Sequence, residues 1–255
     1  MKITLLGTGT SMGVPMIACN CEVCCSSDSR DKRTRSSVKI ESNGQIIVVD
    51  AGPDFRQQML ASNTKRLNAI LFTHEHKDHT AGLDDVRAFN WINGEPSCLY
   101  GEERTLLALR KEYSYAFKSK EEKYPGVPEL LLNRIGLQPF EAAGIKIIPV
   151  RVFHHKMPVL GFRIDDFSYV TDASLIHDDS MKLIRNSKIL VINALRIEPH
   201  ISHFSLKQAL EVIDELQPER AYLTHISHHM GLHSEVSKQL PPNVFLGYDG
   251  LELEI

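Results

Sequence analysis

Thr73-His74-Glu75-His76-Lys77-Asp78-His79 places three imidazoles and an acceptor carboxylate within six residues. Nitrogen and oxygen donors at this density suit a divalent ion such as Zn, Mn or Fe. His74 and His76 alternate, so an extended turn sets them on one side, and Asp78 and His79 turn toward a neighbouring position. A second donor cluster, Cys19-Asn20-Cys21-Glu22-Val23-Cys24-Cys25, carries Cys-x-Cys-x-x-Cys spacing. Three thiolates from one short loop suit a structural zinc that takes its fourth ligand from elsewhere. The competing account is a set of reduced, unliganded thiols. Cys25 is an extra neighbour able to compete for a ligand position, and the isolated Cys98 reads as a buried small hydrophobe.

The remaining candidates stand at the ends of strand-like runs. Leu67 to Phe72 is an apolar run that delivers the histidine stretch to a sheet edge. Ile145 to Val152 leads to His154-His155, where His154 ends the strand and His155 is the runner-up. Phe167 to Val170 leads to Asp172, a carboxylate placed either to bridge two cations or to cap a helical turn. Ile189 to Asn193 precedes His200 and the Ser202-His203-Phe204-Ser205-Leu206 segment, and Arg220 to Leu223 precedes His225, His228 and His229. Asp50, after the strand Gln45 to Val49, could orient a ligating histidine or be an ordinary loop carboxylate. The turn Gly7-Thr8-Gly9-Thr10-Ser11-Met12-Gly13-Val14-Pro15 could cradle phosphate through its amides. It lacks the lysine of a P-loop, and a tight structural turn accounts for it better. Arg87 reads as part of a solvated helix face, and His229 and His233 as surface positions.

The His-x-His-x-Asp-His stretch resembles the signature of the metallo-β-lactamase superfamily of binuclear metallohydrolases. The whole chain is similar to the phosphoribosyl cyclic phosphate phosphodiesterases of the carbon–phosphorus lyase pathway. That resemblance implies an α/β fold, a four-layer αββα sandwich of two mixed sheets with helices on the outer faces, formed by residues 1–255 as one domain. It implies one metal on His74, His76 and His154, a second on Asp78, His79 and His225, and Asp172 bridging the two. It implies a structural zinc on Cys19, Cys21, Cys24 and His228. His203 is implied as a non-ligand active-site histidine, so His203 and Asp78 are the candidate catalytic residues, with His203 and His200 facing substrate. The cofactors are then two divalent metals, Mn or Zn, and one structural Zn. A water shared by two divalent ions supplies hydroxide near neutral pH, which suits in-line attack on phosphorus. The implied reaction opens 5-phosphoribosyl 1,2-cyclic phosphate. The loop around His154 is about one residue longer than the family's pattern, and residues 102 to 135 read as a charged, helical excursion that forms a lid or a dimer surface.

Composition narrows the classes. At 255 residues and 42% hydrophobic content the chain can bury a sizeable core. A net charge of −3 provides no basic footprint for nucleic acid. Met1-Lys2-Ile3-Thr4 runs straight into a strand without a signal-peptide pattern, and no apolar run approaches the roughly 20 residues of a membrane span. The expected partner is a small phosphorylated substrate; a membrane partner is excluded, nucleic acid is disfavoured, a homodimer is compatible, and the expected location is the cytoplasm. Three rival readings remain: a tRNA 3′-processing endonuclease of the same superfamily, whose glycine- and basic-rich arm has no counterpart here; a thioester or lactam hydrolase on the same fold, which the cysteine site and His203 disfavour; and a non-catalytic zinc-stapled binding module.

Overall fold

The computed structural model describes residues 1–119 and 121–255. Among the described residues, fourteen strands form two seven-stranded mixed sheets. The first contains β1 (Lys2–Gly7), β2 (Ser37–Ser42), β3 (Gln45–Val49), β4 (Ala69–Leu71), β5 (Ser97–Gly101), β6 (Leu130–Arg134) and, at its other edge, β14 (Leu251–Glu254). The second contains β7 (Phe140–Ala142), β8 (Ile145–His154), β9 (Met157–Ile164), β10 (Phe167–Val170), β11 (Ile189–Asn193), β12 (Arg220–Thr224) and β13 (Val244–Leu246). In the first sheet β3 to β6 run parallel, and in the second β10 to β13 do.

Alternation along the strands builds the layers. Ile47 and Val49 of β3, Ala69 and Leu71 of β4, and Ile189 and Val191 of β11 pack into one core between the sheets. Their neighbours Val48 and Ile70 point the other way, into a cluster with Phe55, Met59, Leu106 and Leu109 of the helices Phe55–Ala61 and Glu103–Glu112. Leu190 and Ile192 likewise face Met181, Ile184, Ala209 and Ile213 of the helices Asp178–Ile184 and Leu206–Leu216. A strand buried on both faces reads as a continuous apolar run, as β11 does. The result is the αββα sandwich implied by the resemblance.

The Asn43-Gly44 turn joins β2 to β3 with φ of 51° and 76°, the left-handed pair that a tight hairpin requires. Ser205 caps the helix Leu206–Leu216 in a full capping box with Gln208. Two expectations need correction. Residues 102 to 135 are not helical throughout: after the helix Glu103–Glu112, Leu130–Arg134 forms β6, paired in parallel with β5. Leu130, Leu131 and Leu132 follow one another with no helical period, and the partner strand decides the outcome. His233 is buried rather than on the surface, its N–H donating to Asp31 at 2.8 Å and its Nδ1 facing Arg33 at 3.2 Å.

No helix among the described residues is long and apolar enough to cross a membrane.

Candidate active site

Parallel strands release their loops at the same end, so β3, β4, β10, β11 and β12 deliver Asp50, Thr73 to His79, Asp172, the 194–205 segment and His225 to one edge of the sandwich. Backbone hydrogen bonds stitch these loops together. Ala51 N–H donates to His79 O at 2.8 Å, Leu160 N–H to Thr73 O at 3.0 Å, Phe204 N–H to Ala173 O at 2.8 Å and Ile226 N–H to Thr8 O at 2.8 Å. Gly52 must be glycine because a Cβ there would lie 2.1 Å from the Asp78 carbonyl oxygen.

Asp50, Asp172 and His225 have φ of 65°, 56° and 55°. Left-handed backbone costs a non-glycine residue on the order of 1–3 kcal/mol, and the surrounding hydrogen bonds hold each in place. The chain thereby turns sharply at each strand end and aims the side chain inward.

The rings of His74, His76 and His154 form a triangle with centroids 4.6, 5.2 and 5.9 Å apart. On the other side, Asp78, His79, Asp172 and His225 bring one donor atom each within 4.8 Å of the others. Asp172 lies between the groups. Its Oδ1 is 3.2 Å from His203 Nε2, and its Oδ2 is 3.2 Å from His79 Nε2 and 3.3 Å from His225 Nδ1. His154, not His155, turns toward the cluster, its Nδ1 donating to Ser202 O at 2.8 Å. His155 is exposed, with its N–H on Ser174 Oγ.

The histidines are oriented for ligation. His79 Nδ1 is fixed by Asp50 Oδ2 at 2.7 Å, and Asp50 also accepts from Thr73 N–H and Oγ1 at 2.9 and 2.8 Å. Thr73 Oγ1 holds His74 Nδ1 at 2.9 Å. This leaves Nε2 of His74 buried with no hydrogen-bond partner among the described residues, and Nε2 of His79 buried 3.2 Å from carboxylate oxygens of both Asp78 and Asp172. An unpaired buried ring nitrogen and a second one beside two carboxylates fit divalent cations. Burial holds His74 well below the ordinary histidine range and His225 down to about 4, so both present lone pairs. His79 differs: burial opposes its charge, but Asp172, Asp78 and Asp50 outweigh that and hold a proton on it. Against its burial, His225 and His79 keep Asp172 ionised. A cation held here would take the place of the proton on His79 Nε2.

Cys19, Cys21 and Cys24 surround His228, their Sγ atoms 3.3, 3.3 and 3.5 Å from its Nδ1. In a tetrahedral zinc site with Zn–S near 2.3 Å and Zn–N near 2.1 Å, ligand atoms lie roughly 3.5 Å apart, so the cluster fits. The Cys24 N–H and His228 pull the Cys21 thiol down to about 6, whereas burial pushes Cys24 up to about 11. Cys25 is exposed and outside the group, and Cys98 is half-buried.

Residues 45–226 match the β-lactamase superfamily domain. The chain belongs to that superfamily. Its fold is the metallo-β-lactamase fold, and its histidine–aspartate site offers donor groups that could hold metal ions. A crystal structure of a diphosphatase from the PhnP family superposes with a TM-score of 0.92 at 39% identity, covering 100% of this chain and 97% of that one. An octanoyltransferase of Porphyromonas gingivalis is 40% identical over 255 residues, 99% of this chain and 51% of that protein. The chain therefore spans about half the length of that relative. Human tRNase Z, short form, shares the fold with a TM-score of 0.71 at 20% identity, covering 100% of this chain and 99% of that one.

Several residues that support the superfamily site escaped sequence reasoning. Asn193 brackets the backbone beside Asp172, its Oδ1 accepting from Ala173 N–H at 2.8 Å and its Nδ2 donating to Ala173 O at 2.9 Å. Ser36 and Thr10 hydroxyls flank His225 at 3.2 and 3.3 Å. Only Thr73 carried a signal, as the residue leading into the histidine stretch. Arg87 pairs with Asp84 on an exposed helix face, as its solvated reading required.

Proposed function

We propose that this chain is a binuclear phosphodiesterase that hydrolyses a small cyclic phosphodiester of the phosphoribosyl cyclic phosphate type. The observation that carries the reading is Asp172, whose two oxygens face different histidines across the centre of a six-imidazole cluster. His74, His76 and His154 would hold one ion, and Asp78, His79 and His225 the other. When bound, the ions supply Lewis-acid activation of water and of the phosphate group. The protein's own part is orientation and proton handling. Asp50 and Thr73 fix the rings of His79 and His74. His203 stands with Nε2 beside Asp172 and its ring 4.5 Å from that of His154. There it would hydrogen-bond the phosphoryl oxygens or give a proton to the departing alkoxide. Its Nδ1 is held by Ser202 Oγ at 3.0 Å and lies 3.2 Å from His200 Nδ1. The Cys19, Cys21, Cys24 and His228 group would hold zinc as a staple between the N-terminal loop and the loop carrying His225.

The likeness to a PhnP-family diphosphatase supports phosphoryl chemistry and adds diphosphates to the substrates worth assaying. The octanoyltransferase name describes a protein about twice as long, so the same panel includes an octanoyl thioester. The tRNA nuclease reading rests on shared fold alone at 20% identity. Elemental analysis paired with turnover of bis-p-nitrophenyl phosphate, cyclic phosphates and diphosphates tests the proposal. About three metals per chain with cyclic-phosphate turnover is the expected result; about one zinc and no turnover favours a binding module. Asp172→Ala should lose metal and activity together. His203→Ala should lose activity with metal retained, and metal loss instead would make His203 a ligand.

A further inference from the structure

Glu75 stands between two of the proposed ligands, His74 and His76, and in an extended stretch its side chain points away from theirs. There it meets the start of the helix Glu103–Glu112. Glu75 Oε1 accepts from Arg104 Nε at 2.9 Å, and its Oε2 lies 3.5 Å from the hydroxyl of the buried Thr105. The same Arg104 donates from Nη2 to the Pro158 carbonyl at 3.2 Å. Pro158 pairs with Phe153 across the β8–β9 hairpin, and His154, the third proposed ligand of that ion, follows Phe153 in β8. One guanidinium therefore spans the two loops that carry all three histidines.

The helix is itself fixed to both loops. Arg151 of β8 holds Glu102, at the helix start, with Nη1 and Nη2 at 2.7 and 2.5 Å from its carboxylate oxygens. At the far end, Lys77 pairs with Glu112, and the Tyr113 hydroxyl donates to the Thr80 carbonyl at 2.9 Å. One helix thus grips the metal loop at both ends and is tied to the strand that ends in His154. Arg134 offers the contrast. It lines the same cavity of about 620 Å³ as Arg104 and Arg151, but its ion pair, with Glu103, lies outside both loops.

We propose that Arg104 is a positioning residue, setting the spacing of His74 and His76 against His154 and with it the geometry of the first metal site. The inference rests on the reading that these three histidines share an ion. A guanidinium suits the task because its planar donors point in fixed directions, so Nε and Nη2 hold a carboxylate and a carbonyl at a set separation. A lysine ammonium is a point charge on a flexible stem and holds no such separation.

The test starts from the metal-loaded protein and titrates it with a chromophoric chelator. Arg104→Met should weaken one of the two histidine–aspartate ions by about 3- to 10-fold. That is less than the effect of about 10- to 100-fold for a group bonded directly to a ligand, because Arg104 acts through Glu75 and is half exposed. Glu75→Gln should weaken the same ion, Arg104→Lys should recover the loss in part, and Arg134→Met should change nothing. The visible bands of the cobalt-substituted protein should shift in Arg104→Met, a change of coordination geometry that lost stability alone does not produce. In protein stripped of its histidine-bound metal, Arg104→Met should quicken amide hydrogen exchange in both 73–79 and 154–160. Equal weakening of both ions, or unchanged affinity and bands, overturns the proposal, as does exchange that quickens in 73–79 alone. If wild type holds only the metal of the cysteine cluster, the shared-ion reading falls; faster exchange in both segments then still establishes Arg104 as the tie between them.

Discussion

Asp50→Asn isolates the support beneath the proposed second metal. Asp50 is fully buried, and its Oδ2 accepts from both His79 Nδ1 at 2.7 Å and Thr73 Oγ1 at 2.8 Å. Its Oδ1 accepts from Thr73 N–H at 2.9 Å. An asparagine can keep the Oδ1 contact, but its amide nitrogen then replaces Oδ2 and presents hydrogens to His79 Nδ1. His79 answers by moving its proton to Nε2, which removes the lone pair a cation would use, or by rotating away. Loss of a carboxylate that orients a ligating histidine costs about 10- to 100-fold in metal affinity, or roughly 1.4–2.7 kcal/mol. Competition against a chromophoric chelator measures the affinity, with the Cys19, Cys21, Cys24 and His228 cluster as internal control. That cluster's metal should be retained, because Asp50 touches none of its four residues. Histidine–aspartate metal held within twofold of wild type would refute the orienting role of Asp50.

Two further changes probe the scaffold. Gly52→Ala should destabilise the protein by about 1–3 kcal/mol or more, since its Cβ would sit 2.1 Å from the Asp78 carbonyl oxygen and force the metal loop to move. A urea midpoint within error of wild type would show that the loop yields freely. His233 gives a pH dependence with a defined sign: burial, with Arg33 and Arg30 nearby, holds it down to about 4, against about 6.5 in the unfolded chain. The unfolded state then binds the proton first, so stability present above pH 6.5 falls by about 3 kcal/mol as pH drops to 4. His233→Gln should lose that contribution, so its stability curve converges on wild type as pH falls through this window; parallel curves would remove the assignment.

The sequence by itself determined the chemistry-bearing residues and most of the strands. Local density of donors is visible in one dimension, so His74 to His79 and Cys19 to Cys24 stood out without any fold. Strands buried on both faces, such as Ile189–Asn193, announce themselves as apolar runs of strand length. The single residues Asp172, His203 and His225 became candidates through resemblance, since nothing local distinguishes one strand-end histidine from another. Only the tertiary structure decided what each touches. His233 looked like a surface histidine until Arg33 and Asp31, some 200 positions away, enclosed it. Leu130–Arg134 became a strand because β5 offered an open edge. Asn193 and Ser36 acquired roles because parallel strands from distant parts of the chain end side by side.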